Sequence, residues 1–167
     1  MIDMTPPTQP QTDPPHLADH GGYPVYPMPA FVTVAAADVN RTSQWFRDVL
    51  GFGVMFVALG GDSPSMVHLR RAKYQDVMIV PGGGHPAPDS SHTVTFQVGE
   101  AADVDALAAR VAAAAASKFD GPHDTPWNTR DFAVTDPDGN RFTFTGRGIQ
   151  PTEEFDVAIG RLSGGEV

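Results

Sequence analysis

Apolar and polar positions along the chain follow two periods, and the switches between them mark its elements. From Asp131 to Thr135, Phe132 and Val134 alternate with Asp131, Ala133 and Thr135; from Arg141 to Thr145, Phe142 and Phe144 alternate with Arg141, Thr143 and Thr145. A period of two is that of half-buried antiparallel strands. Between these runs stands Asp136-Pro137-Asp138-Gly139-Asn140. Proline pre-sets φ, aspartate accepts from nearby backbone N–H groups, and glycine tolerates positive φ, so the pattern predicts a turn and hence a β-hairpin.

The same logic reads the chain in order. Phe31 to Ala36 predicts a strand, and Asp38 a helix N-cap ahead of Val39, Phe46, Val49 and Leu50 on one helical face, with Gly51 as the stop. Val54 to Leu59, Met66 to Arg70 and Asp76 to Val80 predict three further strands, the first two joined by the turn Gly60-Gly61-Asp62-Ser63-Pro64. Residues 30–80 thus form a βαβββ module, followed by a Pro- and Gly-rich linker over 81–91. The second module, 92–146, opens with a strand at Thr93 to Val98. Asp103 is then expected to cap a helix carrying Val104, Leu107, Ala108 and Val111 at i, i+3, i+4 and i+7, extended by Ala112 to Ala116. A poorly defined segment near Lys118 to Asp124 is expected to supply the outer strand, and the hairpin closes the module. Phe31-Val32-Thr33-Val34 before Ala37-Asp38-Val39 echoes Thr93-Val94-Thr95-Phe96 before Ala102-Asp103-Val104. A repeat of this length indicates two units, each too small to bury its own sheet face. Fold class is therefore α+β. Eight of the sixteen prolines fall at or before Pro29, so residues 1–28 read as a disordered arm, with Tyr23 and Tyr26 available to anchor its end. Residues 147–167, carrying Glu153, Glu154, Asp156 and Glu166, read as a flexible acidic tail.

Two segments together carry a family resemblance: AADVNRTSQWFRDVLGF (Ala36 to Phe52) and the hairpin TRDFAVTDPDGNRFTF. They resemble the vicinal oxygen chelate superfamily, which includes glyoxalase I, extradiol dioxygenases, fosfomycin-modifying enzymes and bleomycin resistance proteins. The resemblance spans roughly residues 30 to 146 and implies paired βαβββ modules forming a curved mixed sheet around a ligand cleft. Enzymes of that family hold a divalent metal through His, Glu or Gln on particular strands. Carried over, those positions fall on Phe31, Thr93 and Thr143, with Met78 or Val80 as the module-one counterpart of Thr143. None supplies an imidazole or carboxylate. His92 lies one residue from Thr93, and a one-residue slip turns a side chain to the opposite face. The resemblance therefore implies the bleomycin resistance type: a metal-free homodimer, without cofactor or catalytic residues, that sequesters a small molecule. A divergent metal-dependent lyase or dioxygenase and a regulatory binding role remain alternatives.

Composition sharpens this picture modestly. The 167 residues are 41% hydrophobic and 9% aromatic, ordinary for a globular chain, and contain no cysteine, which excludes disulfides and thiolate metal sites. A net charge of −9 disfavours nucleic acid as a partner and raises the local concentration of cationic small molecules. No apolar run approaches the roughly 18 residues of a membrane span. The start lacks the basic and apolar regions of a signal peptide, so a cytoplasmic protein is expected.

If Val67 and Leu69 face the core, Met66, His68 and Arg70 face the cleft, joined by Met78 and Val80, by Thr93, Thr95 and Gln97, and by Thr143 and Thr145. Phe31 would add an aromatic wall. Trp127, in a loop before a strand, either stacks on a ligand or partner or covers its own loop. The ligand-binding set is thus Phe31, Met66, His68, Arg70, Met78, Thr93, Thr95, Trp127 and Thr143, facing a cationic or aromatic ligand. Trp45 is expected to pack helix on sheet. Arg130 and Asp131, as strand neighbours, point to opposite faces, so only one can meet a ligand; a structural salt bridge is the expected use of Arg130. Gly82-Gly83-Gly84 is no phosphate loop, since neither a helix nor a P-loop lysine follows.

Overall fold

The first helix begins where its cap does. In the computed structural model, which describes residues 30–82, 93–114 and 118–148, strand β1 (Val32–Ala36) leads into α1 (Val39–Asp48) through Asp38, whose carboxylate accepts from the Arg41 N–H at 3.0 Å. Gly51, at φ 77°, ends the helix, and the Phe52 N–H closes on the Phe46 carbonyl at 3.1 Å. Strands β2 (Gly53–Gly60), β3 (Ser63–Arg70) and β4 (Asp76–Pro81) complete the first unit. Then β5 (Val94–Glu100), α2 (Ala101–Ala113), β6 (Lys118–Asp124), β7 (Thr129–Thr135) and β8 (Arg141–Arg147) repeat the order. The expected N-terminal arm, most of the expected linker, His92 and nearly all of the expected tail lie outside the described residues.

Two four-stranded mixed sheets result, ordered β1-β4-β3-β2 and β5-β8-β7-β6. In each, the outer pair that includes the first strand is parallel and the others are antiparallel. The α+β class and the doubled βαβββ order follow the sequence pattern.

Each sheet is buried on one face by one helix. In the first unit Val34, Val67, Leu69, Val77 and Ile79 are buried together with Val39, Trp45 and Phe46 of α1. Phe46 meets both Trp45 and Phe52 edge-on at 5.2 Å, and Trp45 is itself buried. In the second, Phe96 stacks on Phe142 and Phe144 at 6.2 and 5.6 Å, and Val104, Leu107 and Val111 of α2 complete the core. Each such side chain contributes about 1.5–3 kcal/mol of transfer free energy.

Two details depart from the sequence pattern, and a third fills in the strand it left poorly defined. The N-cap of α2 is Glu100, with Asp103 at the third helical position reaching back to the Glu100 N–H at 2.9 Å. A capping box places acids at both ends, which is why either fitted the pattern. The helix also stops at Ala113, capped by Ala114; only the start of the alanine run extends it, and residues 115–117 lie outside the described residues. The ill-defined segment at 118–124 is a strand, β6, whose ladder shifts register between Asp120 and His123 around a cis Gly121-Pro122 bond. That bulge erases the alternation that would have revealed it.

Residues 136–140 group with the first unit, which otherwise runs to Ser91, while 92–135 and 141–167 form the second. Within the first unit Asp138 accepts from the Ala37 N–H at 3.1 Å and from the hydroxyl of the fully buried Thr42. Asp136 organises the turn: Oδ1 accepts from the N–H groups of Asp138 and Asn140 at 2.9 and 2.7 Å, and Oδ2 from the Asn140 amide at 2.8 Å.

Two predictions follow from this packing. A Cβ on Gly146 would lie 2.5 Å from the Glu100 carbonyl oxygen and 2.8 Å from Val104 Cγ2. Gly146→Ala should therefore cost about 1–3 kcal/mol in urea unfolding, and an unchanged midpoint would contradict the close approach. Burial pushes the Asp136 carboxyl above its ordinary range, against the pull of its bonds from Asn140 and Asp138. The folded state then holds this proton more tightly than the unfolded one. The resulting stability is complete below the unfolded value and fades as pH rises through the folded one. An NMR titration should place its midpoint above the usual aspartate range; one at or below that range would show that hydrogen bonding outweighs burial.

Candidate functional site

The face of each sheet turned away from its helix carries the candidate chemistry. In the first unit, register aligns Thr33, Met78, His68 and Phe56 as successive cross-strand partners over β1, β4, β3 and β2. Met66 pairs with Ala58 in the next row, and Arg70 with Asp76 in the row beyond His68. Val67 and Leu69 are fully buried on the helix side, so Met66, His68 and Arg70 share the other face, as alternation predicts. Phe31 precedes Thr33 by two positions and is 52% exposed; Phe56 is 57% exposed.

At the centre lies a residue the sequence pattern did not single out. The Asp76 carboxylate has no exposed side-chain surface; its Oδ1 accepts from Arg70 Nε at 2.8 Å and lies 2.6 Å from His68 Nε2. An ionised carboxylate only accepts, so this bonding assigns the proton to Nε2 and leaves Nδ1 of a neutral ring as an acceptor. Asp76 therefore fixes the tautomer and orientation of His68. Arg70, 8% exposed, is held as the counter-charge of Asp76 and does not present an open guanidinium. Met78 is also buried, at the floor of this face.

In the second unit the equivalent face is polar. Thr95, Thr143, Ala133 and Asp120 form one row, and Gln97, Thr145, Asp131 and His123 the next. Thr93 stands just ahead of β5, its hydroxyl 3.5 Å from the Arg141 carbonyl. Trp127, 60% exposed, lies in the turn before β7, beyond the end of the ladder. Arg130 points to the α2 side and bonds Asp105 at 2.7 Å and Asp124 at 2.8 Å, the structural salt bridge expected of it. Of the sequence-derived set, Phe31, Met66, His68, Arg70 and Met78 thus gather on one sheet. Thr93, Thr95 and Thr143 gather on the other, and Trp127 is not in either row.

These side chains do not suit the divalent metal of the enzymatic relatives. The parallel pairs Thr33–Met78 and Thr95–Thr143 occupy matching places in the two sheets, which makes Met78 the counterpart of Thr143. Thioether and hydroxyl occupy these places, and His68, whose Nε2 bonds Asp76 and whose Nδ1 is left as an acceptor, has no second imidazole or carboxylate beside it in that row. Among the described residues no group of three or more His, Cys, Asp or Glu is placed to hold a metal ion. No helix among them is long and apolar enough to cross a membrane.

Residues 29–144 match the family model of the Glyoxalase/Bleomycin resistance protein/Dioxygenase superfamily. A comparison with curated proteins found no match. Among solved structures, the chain is similar to TnmS3, an antibiotic binding protein from Streptomyces sp. CB03234, at 23% identity over 75% of this chain and 99% of that one, with a TM-score of 0.54. TioX from Micromonospora sp. ML1 matches at 24% identity over 70% and 96%, TM-score 0.57. The fosfomycin resistance protein FosX from Listeria monocytogenes matches at 13% over 75% and 94%, TM-score 0.59. At these identities the likeness is one of fold, and the fold hosts both a binding protein and a resistance protein of another kind.

Removing the buried carboxylate takes away the acceptor shared by Arg70 Nε and His68 Nε2. Asp76→Ala is expected to destabilise the protein by about 3–5 kcal/mol in denaturant unfolding. A loss below about 1 kcal/mol, the size of an exposed pair, would show that Asp76 does not hold this face together.

Proposed function

This chain belongs to the Glyoxalase/Bleomycin resistance protein/Dioxygenase superfamily, and we propose that within it the protein is a metal-free binder that sequesters an aromatic small molecule, an antibiotic in the first instance. The observation that carries this is Phe56, more than half exposed and paired with His68 on the sheet face that also holds Met66, with Phe31, likewise more than half exposed, just ahead of β1 at the opposite edge of the sheet. Large aromatic side chains left in water beside a fixed hydrogen-bonding ring suit a planar ligand, which stacks on the rings and accepts or donates at its edge. The Asp76 and Arg70 pair pre-orients His68, so less side-chain entropy is lost on binding. Binding is reversible and stoichiometric, and no bond is made or broken.

The antibiotic-binding description of TnmS3 supports this choice of ligand class. The proposal takes the protein as cytoplasmic and as a homodimer. The exposed Met55, Phe56 and Leu59 of β2, an edge strand, offer apolar surface for a second copy. Analytical ultracentrifugation tests the dimer.

Calorimetric titration with a panel of bleomycin-like and other aromatic drugs should give saturable binding by at least one member. Phe31→Ala and Phe56→Ala should each weaken that binding by about 2- to 12-fold, the equivalent of about 0.5–1.5 kcal/mol of stacking. No heat across the panel would leave the proposal without support. Elemental analysis showing one tightly held divalent ion per chain would sink its metal-free part.

A further inference from the structure

We infer that Asp131 is the anchor for a positively charged group of the ligand, an organic monocation bearing N–H donors, on the α2-distal face of the second sheet. The assignment rests on the small-molecule function proposed above and adds to it a charge requirement and a residue.

Strand alternation separates Arg130 from Asp131, and Arg130 is spent on the helix side, between Asp105 and Asp124. Asp131 faces the other way and is only partly buried. Its Oδ1 accepts two hydroxyl protons, from Thr129 at 2.8 Å and from Thr145 at 2.7 Å, and the Thr129 hydroxyl lies 2.8 Å from that of Thr125. Both hydroxyls fall on one oxygen. They fix the plane of the carboxylate and leave Oδ2 for another donor.

Hydroxyls orient a carboxylate but do not neutralise it. The other strand carboxylates of this unit differ in that respect: Glu100 pairs with Arg147 at 3.7 Å, Asp120 with Arg141 at 3.4 Å and Asp124 with Arg130 at 2.8 Å. Among the described residues of the second unit, Asp131 is the strand acid that bonds only neutral groups. Its row neighbours are Thr145 and Gln97 on one side and His123 on the other. His123 is the titratable group that faces it from β6, and it makes no hydrogen bond to Asp131. A single oriented carboxylate with one imidazole, His123, as its cross-strand neighbour falls short of the three or more such donors that would hold a divalent ion. It suits one charge-assisted N–H···O bond, with the threonine rows receiving the polar edge of the ligand.

A pair of fluorescent dyes of nearly one shape isolates the charge: 9-aminoacridine, cationic at neutral pH, and acridine, neutral there. Fluorescence titration of the full chain at low salt should show a preference for 9-aminoacridine of about tenfold or more. Asp131→Asn keeps the size of the side chain and an acceptor for both hydroxyls. It should abolish that preference while leaving acridine affinity within about twofold. Thr145→Val, which frees one side of the carboxylate, should reduce the preference several-fold and serves if the Asn variant folds poorly. The net charge of −9 attracts any cation diffusely, and neutralising one acid among twenty would barely alter such a field. A preference that survives in Asp131→Asn, or equal binding of both dyes by the wild type, overturns the Asp131 assignment and leaves the aromatic-ligand function standing. Binding of neither dye counts against both.

Discussion

Each sheet has four strands and one helix, and this single-sided cover is the constraint on which the rest depends. One helix can bury one face of a small sheet, so every strand must separate apolar from chemical positions by alternation. Val67 and Leu69 go to α1 while Met66, His68 and Arg70 turn away. Phe142 and Phe144 go to α2 while Thr143 and Thr145 turn away. The side chains that turn away do not pack on the helix, so their identity is set by other demands, and one architecture can carry unrelated chemistries.

Two aspartates on the faces turned away from the helices show how charge is managed there. Asp76 has lost all contact with water and is matched by Arg70 and His68. Burying a carboxylate without such partners would cost several kcal/mol. Asp131 keeps part of its surface and is matched only by hydroxyls. The difference in burial explains the difference in partner: full desolvation demands an opposite charge, whereas partial hydration lets neutral donors suffice. A fully matched charge is a structural element, while one left unneutralised retains the capacity to attract another.

Much of this was legible in the alternation of Phe132, Val134, Phe142 and Phe144, and in Asp38 ahead of a helical face. Those signals are local, and nothing distant competes with them. What stayed hidden depended on pairing or on interrupted periodicity. Asp76 looked like the polar edge of an apolar run, yet Arg70 and Asp76 close the β3–β4 hairpin and face one another across it. Counting symmetrically about residues 71–75 would have set them side by side, with His68 opposite Met78. β6 was expected but poorly defined because Gly121-Pro122 interrupts its ladder, and the α2 cap was misplaced because Glu100 and Asp103 are both competent acids. Arg130 was read correctly, since its use follows from which face it occupies.

The two parallel pairs, Thr33 with Met78 and Thr95 with Thr143, tie fold to chemistry. They arise because the first and last strands of each module lie side by side, a consequence of the βαβββ order itself. Any member of this fold must place side chains there, on the face without a helix. Imidazoles and carboxylates at such places would converge as hard, charged donors. At these places the first sheet carries a hydroxyl and a thioether in the row of His68, and the second carries two hydroxyls in the row of Asp120, with Asp131 in the next row. The βαβββ backbone therefore fixes where side chains meet on these faces, and in this chain those places are filled by threonine hydroxyls and the Met78 thioether.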